Sequence, residues 1–257
     1  MPYCENQVKL MLRNFIRIII IWNVSLAVLA DEITVGVASN FLAPMQEIAA
    51  AFGAETGNTV NLASGSSGRL YAQIANGAPY HAFFSADQDK PALLIEAGLA
   101  DTDSLFTYAT GSLVLWMQKE DGDPYEVLMD NRISRLAIAN PRLAPYGMAA
   151  TQVIDILFVG ETSCAELVLG ENINQAYQFV MTGNADAGFI ALSQLAANDE
   201  LPRGRGWIVP PNLYDPIRQD AVLVNRGMGN QTAIEFLDYV KNEAVRNIIK
   251  RFGYIAD

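Results

Sequence analysis

Short apolar runs alternate along this chain with longer stretches in which apolar residues return every three or four positions. The short runs read as strands at 33–38, 59–63, 82–85, 113–117, 136–139, 187–191 and 221–224, because a buried strand needs only a few consecutive apolar side chains. The longer stretches read as helices. Met45, Ile48, Ala49 and Phe52 share one face of a helix that stops by Gly57, and Leu70 and Ile74 lie one turn apart in a second that stops at Gly77. Asp89 is placed to cap a third, with Pro91 in its early turn and Gly98 at its end. Another helix is expected at about 148–158, and Ile173, Ala176, Tyr177 and Val180 mark one that stops at Gly183. Ile234, Leu237 and Val240, then Val245, Ile248 and Ile249, mark helices at the carboxyl end. Strands alternating with helices give an α/β fold. No internal repeat or proline-rich linker interrupts the pattern, and Pro210-Pro211 reads as a turn.

The amino-terminal segment, residues 1–30, has a different texture. Lys9, Arg13 and Arg17 make a basic start, a mostly apolar run covers 15–29, and Val28-Leu29-Ala30 offers a small-residue cleavage site before Asp31-Glu32. That is the layout of a secretory signal peptide. The run is shorter than the roughly 20 residues that cross a bilayer, and it contains Arg17 and Asn23, so cleavage is expected rather than anchoring. No Cys follows the cleavage site to carry a lipid, and the expected location is the periplasm. What remains is long enough for one large domain or two lobes.

Charge narrows the ligand. The chain carries a net −11, and the expected signal is basic, so the exported part is more negative still. Nucleic acid is excluded as a partner, because neutralising phosphates needs a basic face. Cys4 leaves with the signal and Cys164 remains alone. A disulfide framework and a multi-cysteine metal site are thereby excluded, and Cys164 reads as a small apolar core residue.

The chemistry concentrates where strands hand over to helices. Ala38-Ser39-Asn40-Phe41 and Gly65-Ser66-Ser67-Gly68 each put small polar residues at a strand end just before a helix. Pro145-Tyr146-Gly147 and Asn172-Ile173 repeat the arrangement in the second half. A helix start leaves backbone N–H groups without intrahelical partners, and its dipole favours negative charge. Such a junction binds an oxyanion without Lys or Arg. Taken alone, each is an ordinary cap or turn. Four together, two per half, point to one small anion.

The chain resembles the periplasmic molybdate-binding proteins of ABC importers. The stretches that carry the likeness are Val37-Ala38-Ser39-Asn40-Phe41, Gly65-Ser66-Ser67-Gly68, Ala72-Gln73-Ile74-Ala75-Asn76-Gly77-Ala78-Pro79 and Phe84-Ser85-Ala86-Asp87. Ala144-Pro145-Tyr146-Gly147, Gly170-Glu171-Asn172-Ile173, Ala185-Asp186-Ala187-Gly188-Phe189 and Lys250-Arg251-Phe252-Gly253-Tyr254 continue it. The resemblance implies ligand contacts at Ser39, Asn40, Ser67, Tyr146 and Ile173, many through backbone N–H. Many members have Ser in place of Asn40 and a Tyr at the place of Ala191. In the Asn-Phe branch that this chain resembles, Tyr146 is expected to supply that phenol. The implied fold is the two-lobed periplasmic binding protein (type II) arrangement, α/β in each lobe, with the ligand cleft between them. Residues 31–109 plus 226–257 are expected in lobe 1 and 110–225 in lobe 2, with crossings near 107–110 and 224–227.

The implied function is capture of molybdate or tungstate, with no cofactor and no catalysis, for delivery to an ABC transporter membrane permease by a monomeric binding protein. The metal would be held as an oxyanion by those same residues. Molybdate near neutral pH offers acceptors only, and none of the four junctions places Asp or Glu at a proposed contact. Neutral donors also avoid the desolvation cost of a buried cation. Sulfate or another tetrahedral oxyanion is the nearer alternative, since only cavity size separates it. A Ser-dependent hydrolase is the more distant one. It would need His81 beside Ser66 or Ser67, and Arg69 stands where a nucleophile elbow requires glycine. His81 is expected to be structural, and Asp87, Asp89 and Glu96 to be capping or solvated.

Overall fold

The structure, a computed structural model, describes residues 30–118, 122–159, 165–196 and 205–256. The expected signal peptide, up to its last residue, and Cys164 lie outside the described residues. The chain from Asp31 onward is one compact unit built on two sheets.

The first sheet contains β1 (Glu32–Ala38), β2 (Thr59–Gly65), β3 (Ala82–Phe84), β4 (Phe106–Gly111) and β10 (Ile217–Leu223), in the order β2-β1-β3-β10-β4. β1 runs parallel to β2 and β3, and β10 lies antiparallel to β3 and β4. The second sheet contains β5 (Leu113–Met117), β6 (Arg135–Ala139), β7 (Glu166–Gly170), β8 (Ala187–Ala191) and β9 (Arg205–Ile208), ordered β7-β6-β8-β5-β9. Here too one strand, β6, lies between two parallel neighbours, β7 and β8, and β5 extends the sheet by antiparallel pairing with both β8 and β9. The two sheets share one design.

Parallel neighbours need crossover helices. α1 (Leu42–Thr56) and α2 (Ser67–Ala75) supply them in the first lobe, α5 (Pro145–Leu157) and α6 (Ile173–Met181) in the second. α1 buries Met45, Ile48 and Phe52 against Ile33, Val35 and Val37 of β1. It ends where Gly57 adopts a left-handed φ of 77°, which glycine reaches without strain. α3 (Asp89–Glu96), α4 (Pro124–Met129) and α7 (Ser193–Ala196) are shorter. α8 (Gln231–Val240) and α9 (Glu243–Arg251) return to the first lobe, where Phe236, Leu237, Val245 and Ile249 join its core. A separate core around Trp116, Phe189 and Val153 serves the second lobe.

The expected lobe boundary needs correction. The sequence places residues 217–223 in lobe 2, yet β10 hydrogen-bonds to β3 and β4 of the first sheet. The second crossing therefore lies between β9 and β10, and not near 224–227. The first falls at Ser112, just past the expected 107–110, because β4 runs on to Gly111. Asp89 does not cap α3. The Asp87 carboxylate accepts the Lys90 N–H at 2.9 Å and takes that role.

Candidate functional site

The two lobes present equivalent junctions at the carboxyl ends of their parallel strands, β1–α1 and β2–α2 against β6–α5 and β7–α6. A 3-10 turn, Ser39–Phe41, leads into α1. At three of the four starts the capping position (Ala38, Ser66, Ala144) makes no side-chain cap. At the fourth, Asn172 accepts from the Gln175 N–H at 3.1 Å. The uncapped starts keep their N–H groups for something else. Gly147 lets α5 begin hard against β6, for a Cβ there would meet the Ala139 carbonyl oxygen at 2.1 Å.

Ser39, Asn40, Ser67, Tyr146 and Ile173 all line one cavity, together with Ser66. Ala38, Gly65, Ala86, Ala144 and Pro145 complete it, so no charged side chain lines its wall. Its volume is about 10 Å³, far below the roughly 300–1,000 Å³ of pockets for drug-sized ligands. The space suits a small ion.

Each polar group there has a definite state. Ser67 Oγ accepts from the Ala86 N–H at 2.9 Å, which leaves its own proton to donate. Ser66 is 3% exposed, and its Oγ is the one buried side-chain polar atom among the described residues without a partner. The sequence pointed to Ser67 as the contact and passed over Ser66. The only signal for it was the paired serine at a helix start. Asn40 donates both side-chain amide hydrogens away from the cavity, to Gln219 Oε1 at 2.8 Å and to the Tyr254 hydroxyl at 3.0 Å. Only its backbone N–H remains for a ligand.

Burial pushes the Tyr146 phenol well above its usual range, and the Tyr254 and Tyr108 phenols add to the shift. Burial raises Tyr108 in the same way and pushes Tyr254 up to about 12. All three stay neutral hydrogen-bond donors at physiological pH. Ala191 is fully buried but does not line the cavity, and its N–H is held by Gln194 Oε1 at 2.9 Å. His81 Nδ1 accepts from the Thr34 N–H at 3.0 Å. That leaves neither serine paired with an imidazole.

The lobes are closed over this cavity. The Gly68 N–H in α2 donates to the Leu143 carbonyl across the cleft at 2.9 Å. Arg69 meets Glu171 at 2.8 Å on the outer rim. The Ser193 hydroxyl of the second lobe donates to the Asn40 carbonyl of the first at 2.9 Å.

The comparisons with known proteins agree with this architecture. A molybdate-binding protein ModA of Azotobacter vinelandii is 46% identical over 227 residues, covering 88% of this chain and 90% of that protein. ModA of Rhodobacter capsulatus is 42% identical over 243 residues, covering 93% and 94%. The solved structure of the Azotobacter vinelandii periplasmic molybdate-binding protein matches with a TM-score of 0.82 at 39% identity, over 88% of this chain and 99% of that one. The profile of the bacterial extracellular solute-binding proteins matches residues 33–255. With nearly the whole chain from Asp31 onward matched, this protein belongs to the bacterial extracellular solute-binding proteins.

Proposed function

We propose that this chain captures molybdate, or tungstate, between its two lobes and delivers it to the membrane permease of an ABC transporter. The cavity wall carries the proposal: it offers hydroxyls, a phenol and helix-start N–H groups, and no carboxylate or cation. A fully deprotonated dianion has only acceptors, so every group it meets should donate. Charge-assisted hydrogen bonds contribute roughly 1.5–3 kcal/mol each, so a handful supports tight binding without a buried Lys or Arg. The two relatives described above, at 46% and 42% identity, bear the name of molybdate-binding proteins.

In this reading Ser39, Asn40 and Ile173 donate through backbone N–H groups. Ser66 and Ser67 donate through hydroxyls. Tyr146 donates its phenol in place of the Tyr that many relatives carry at the position of Ala191. No covalent step is involved, and the work is done by closure, the ligand having higher affinity for the shut arrangement. The chain acts as a monomer in the periplasm after loss of residues 1–30. No helix among the described residues is long and apolar enough to cross a membrane.

Isothermal titration with molybdate, tungstate and sulfate tests the proposal. Molybdate and tungstate are expected to bind tightly and sulfate far more weakly. Sulfate binding as tightly as molybdate overturns the assignment.

A further inference from the structure

The residues proposed to hold the ligand in the two lobes meet behind the cavity at one side chain, Gln219. It is fully buried on β10, the strand that follows the second crossing. Its Oε1 accepts from Asn40 Nδ2 at 2.8 Å and lies 3.1 Å from the Tyr108 hydroxyl, whose single proton it shares with the Ser85 carbonyl at 2.9 Å, all in the first lobe. Its Nε2 faces the Tyr146 hydroxyl oxygen of the second lobe at 3.4 Å. The β4–β10 register is irregular at this place. Gln219 pairs with Ala109 and Asp220 with Thr107, leaving Tyr108 as the extra residue. A bulge re-aims side chains, and here the Tyr108 hydroxyl reaches Gln219. Gly111, at the first crossing, keeps the space open. A Cβ there would lie 2.0 Å from the Tyr146 hydroxyl oxygen and 2.7 Å from Gln219 Nε2.

We infer that Gln219 is a positioning residue that ties lobe closure to the anion by fixing the direction of the Tyr146 proton. This rests on the proposed role of Tyr146 as a ligand contact. With its amide oxygen held by the Asn40 amide at 2.8 Å, the glutamine turns its N–H to the phenol. A hydroxyl oxygen that accepts from Gln219 sends its single proton elsewhere, to the neighbouring Tyr254 hydroxyl or to an anion in the cavity, and the charged acceptor forms the stronger bond. The coupling runs both ways. A phenol that donates to a dianion becomes a better acceptor, so the bound anion strengthens the bond from Gln219. At 3.4 Å that bond is long for N–H···O, and it has room to shorten on binding. An amide is required here. A carboxylate would accept from Asn40, Tyr108 and Tyr146 together, draw the phenol proton off the ligand, and set a negative charge beside a dianion.

The test titrates the full chain, Gln219→Met, Tyr146→Phe and the double variant with molybdate, with thermal unfolding of each ligand-free protein alongside. Failure of the parent chain to bind molybdate removes the proposed function itself, while a binding parent supplies the reference for the rest. Gln219→Met is expected to weaken binding roughly tenfold or more in the parent. In the Tyr146→Phe background the same change should cost less than about twofold, because the phenol it acts through is gone. An equal loss in both backgrounds marks a merely structural role and overturns the inference. So does a Gln219→Met protein that binds as tightly as the parent. Should Gln219→Met not fold, Gln219→Glu keeps the volume and the bond accepted from Asn40. Its expected loss is roughly a hundredfold, and parent-like affinity in that variant is equally fatal.

Discussion

Ser66 occupies the N-cap of α2 with the extended backbone of a capping residue, yet its hydroxyl caps nothing. A buried hydroxyl without a partner costs roughly 1–3 kcal/mol. Replacing it with a hydroxyl-free side chain removes that cost and also removes one donor from the cavity. Ser66→Ala is therefore expected to leave the ligand-free protein as stable as the parent or slightly more so, read as its melting temperature. The same variant should bind molybdate roughly tenfold or more weakly, read by titration. Loss of stability with unchanged affinity would show that the hydroxyl serves the fold. At this scale the sequence located the positions but not the atoms. A small polar residue at a helix start is visible in any reading of Ser39, Asn40 or Ser67. That Asn40 gives its side-chain amide to Gln219 and Tyr254, partners 179 and 214 positions away, is set by tertiary contacts that local pattern does not encode.

Among the elements, apolar pattern located β1, β3, β5, β6 and β8 because their cores are continuous runs such as Leu113–Met117, buried on both faces. It failed on β7, where the edge strand leaves Leu167 and Leu169 exposed and the apolar signal is short. It failed more instructively on β10. Arg218-Gln219-Asp220 breaks the apolar run, so the strand reads as starting at 221, and lobe 1 loses a strand. Gln219 and Asp220 are nonetheless buried, the first by the bonds described above and the second by Gln88 and Thr107. Local rules fail where the chain carries function, and the hinge strand is such a place. The junction helices impose a stricter demand, seen at Gly147. Gly147→Ala forces α5 away from the end of β6, because the atom a Cβ meets is the Ala139 backbone oxygen. A loss of about 1–3 kcal/mol is expected from such overpacking, measurable as a lower urea midpoint. Molybdate affinity should fall with it, since Tyr146 moves with the helix start. An unchanged midpoint would show that the helix start can shift freely.

For the molecule as a whole, the question is how a protein of net charge −11 takes up a dianion. The cavity answers at short range with neutral donors. At long range the net charge repels the ion. The rim pair Arg69–Glu171 is more than half exposed on both sides, at 57% and 61%, and such pairs contribute roughly 0–1 kcal/mol. Salt should therefore disturb closure little. What salt does change is the approach of the ion, because the screening length falls from about 30 Å at 0.01 M to about 8 Å at 0.15 M. Two like-signed partners then meet more often. The association rate of molybdate, followed by stopped-flow fluorescence, is expected to rise with sodium chloride over that range while the dissociation rate stays nearly constant. Most steered ligands show the reverse. A rate that falls with salt would mean that a local positive approach outweighs the net charge, with Lys90, Arg142 and Arg218 in the groove beside the cavity as the groups to neutralise next.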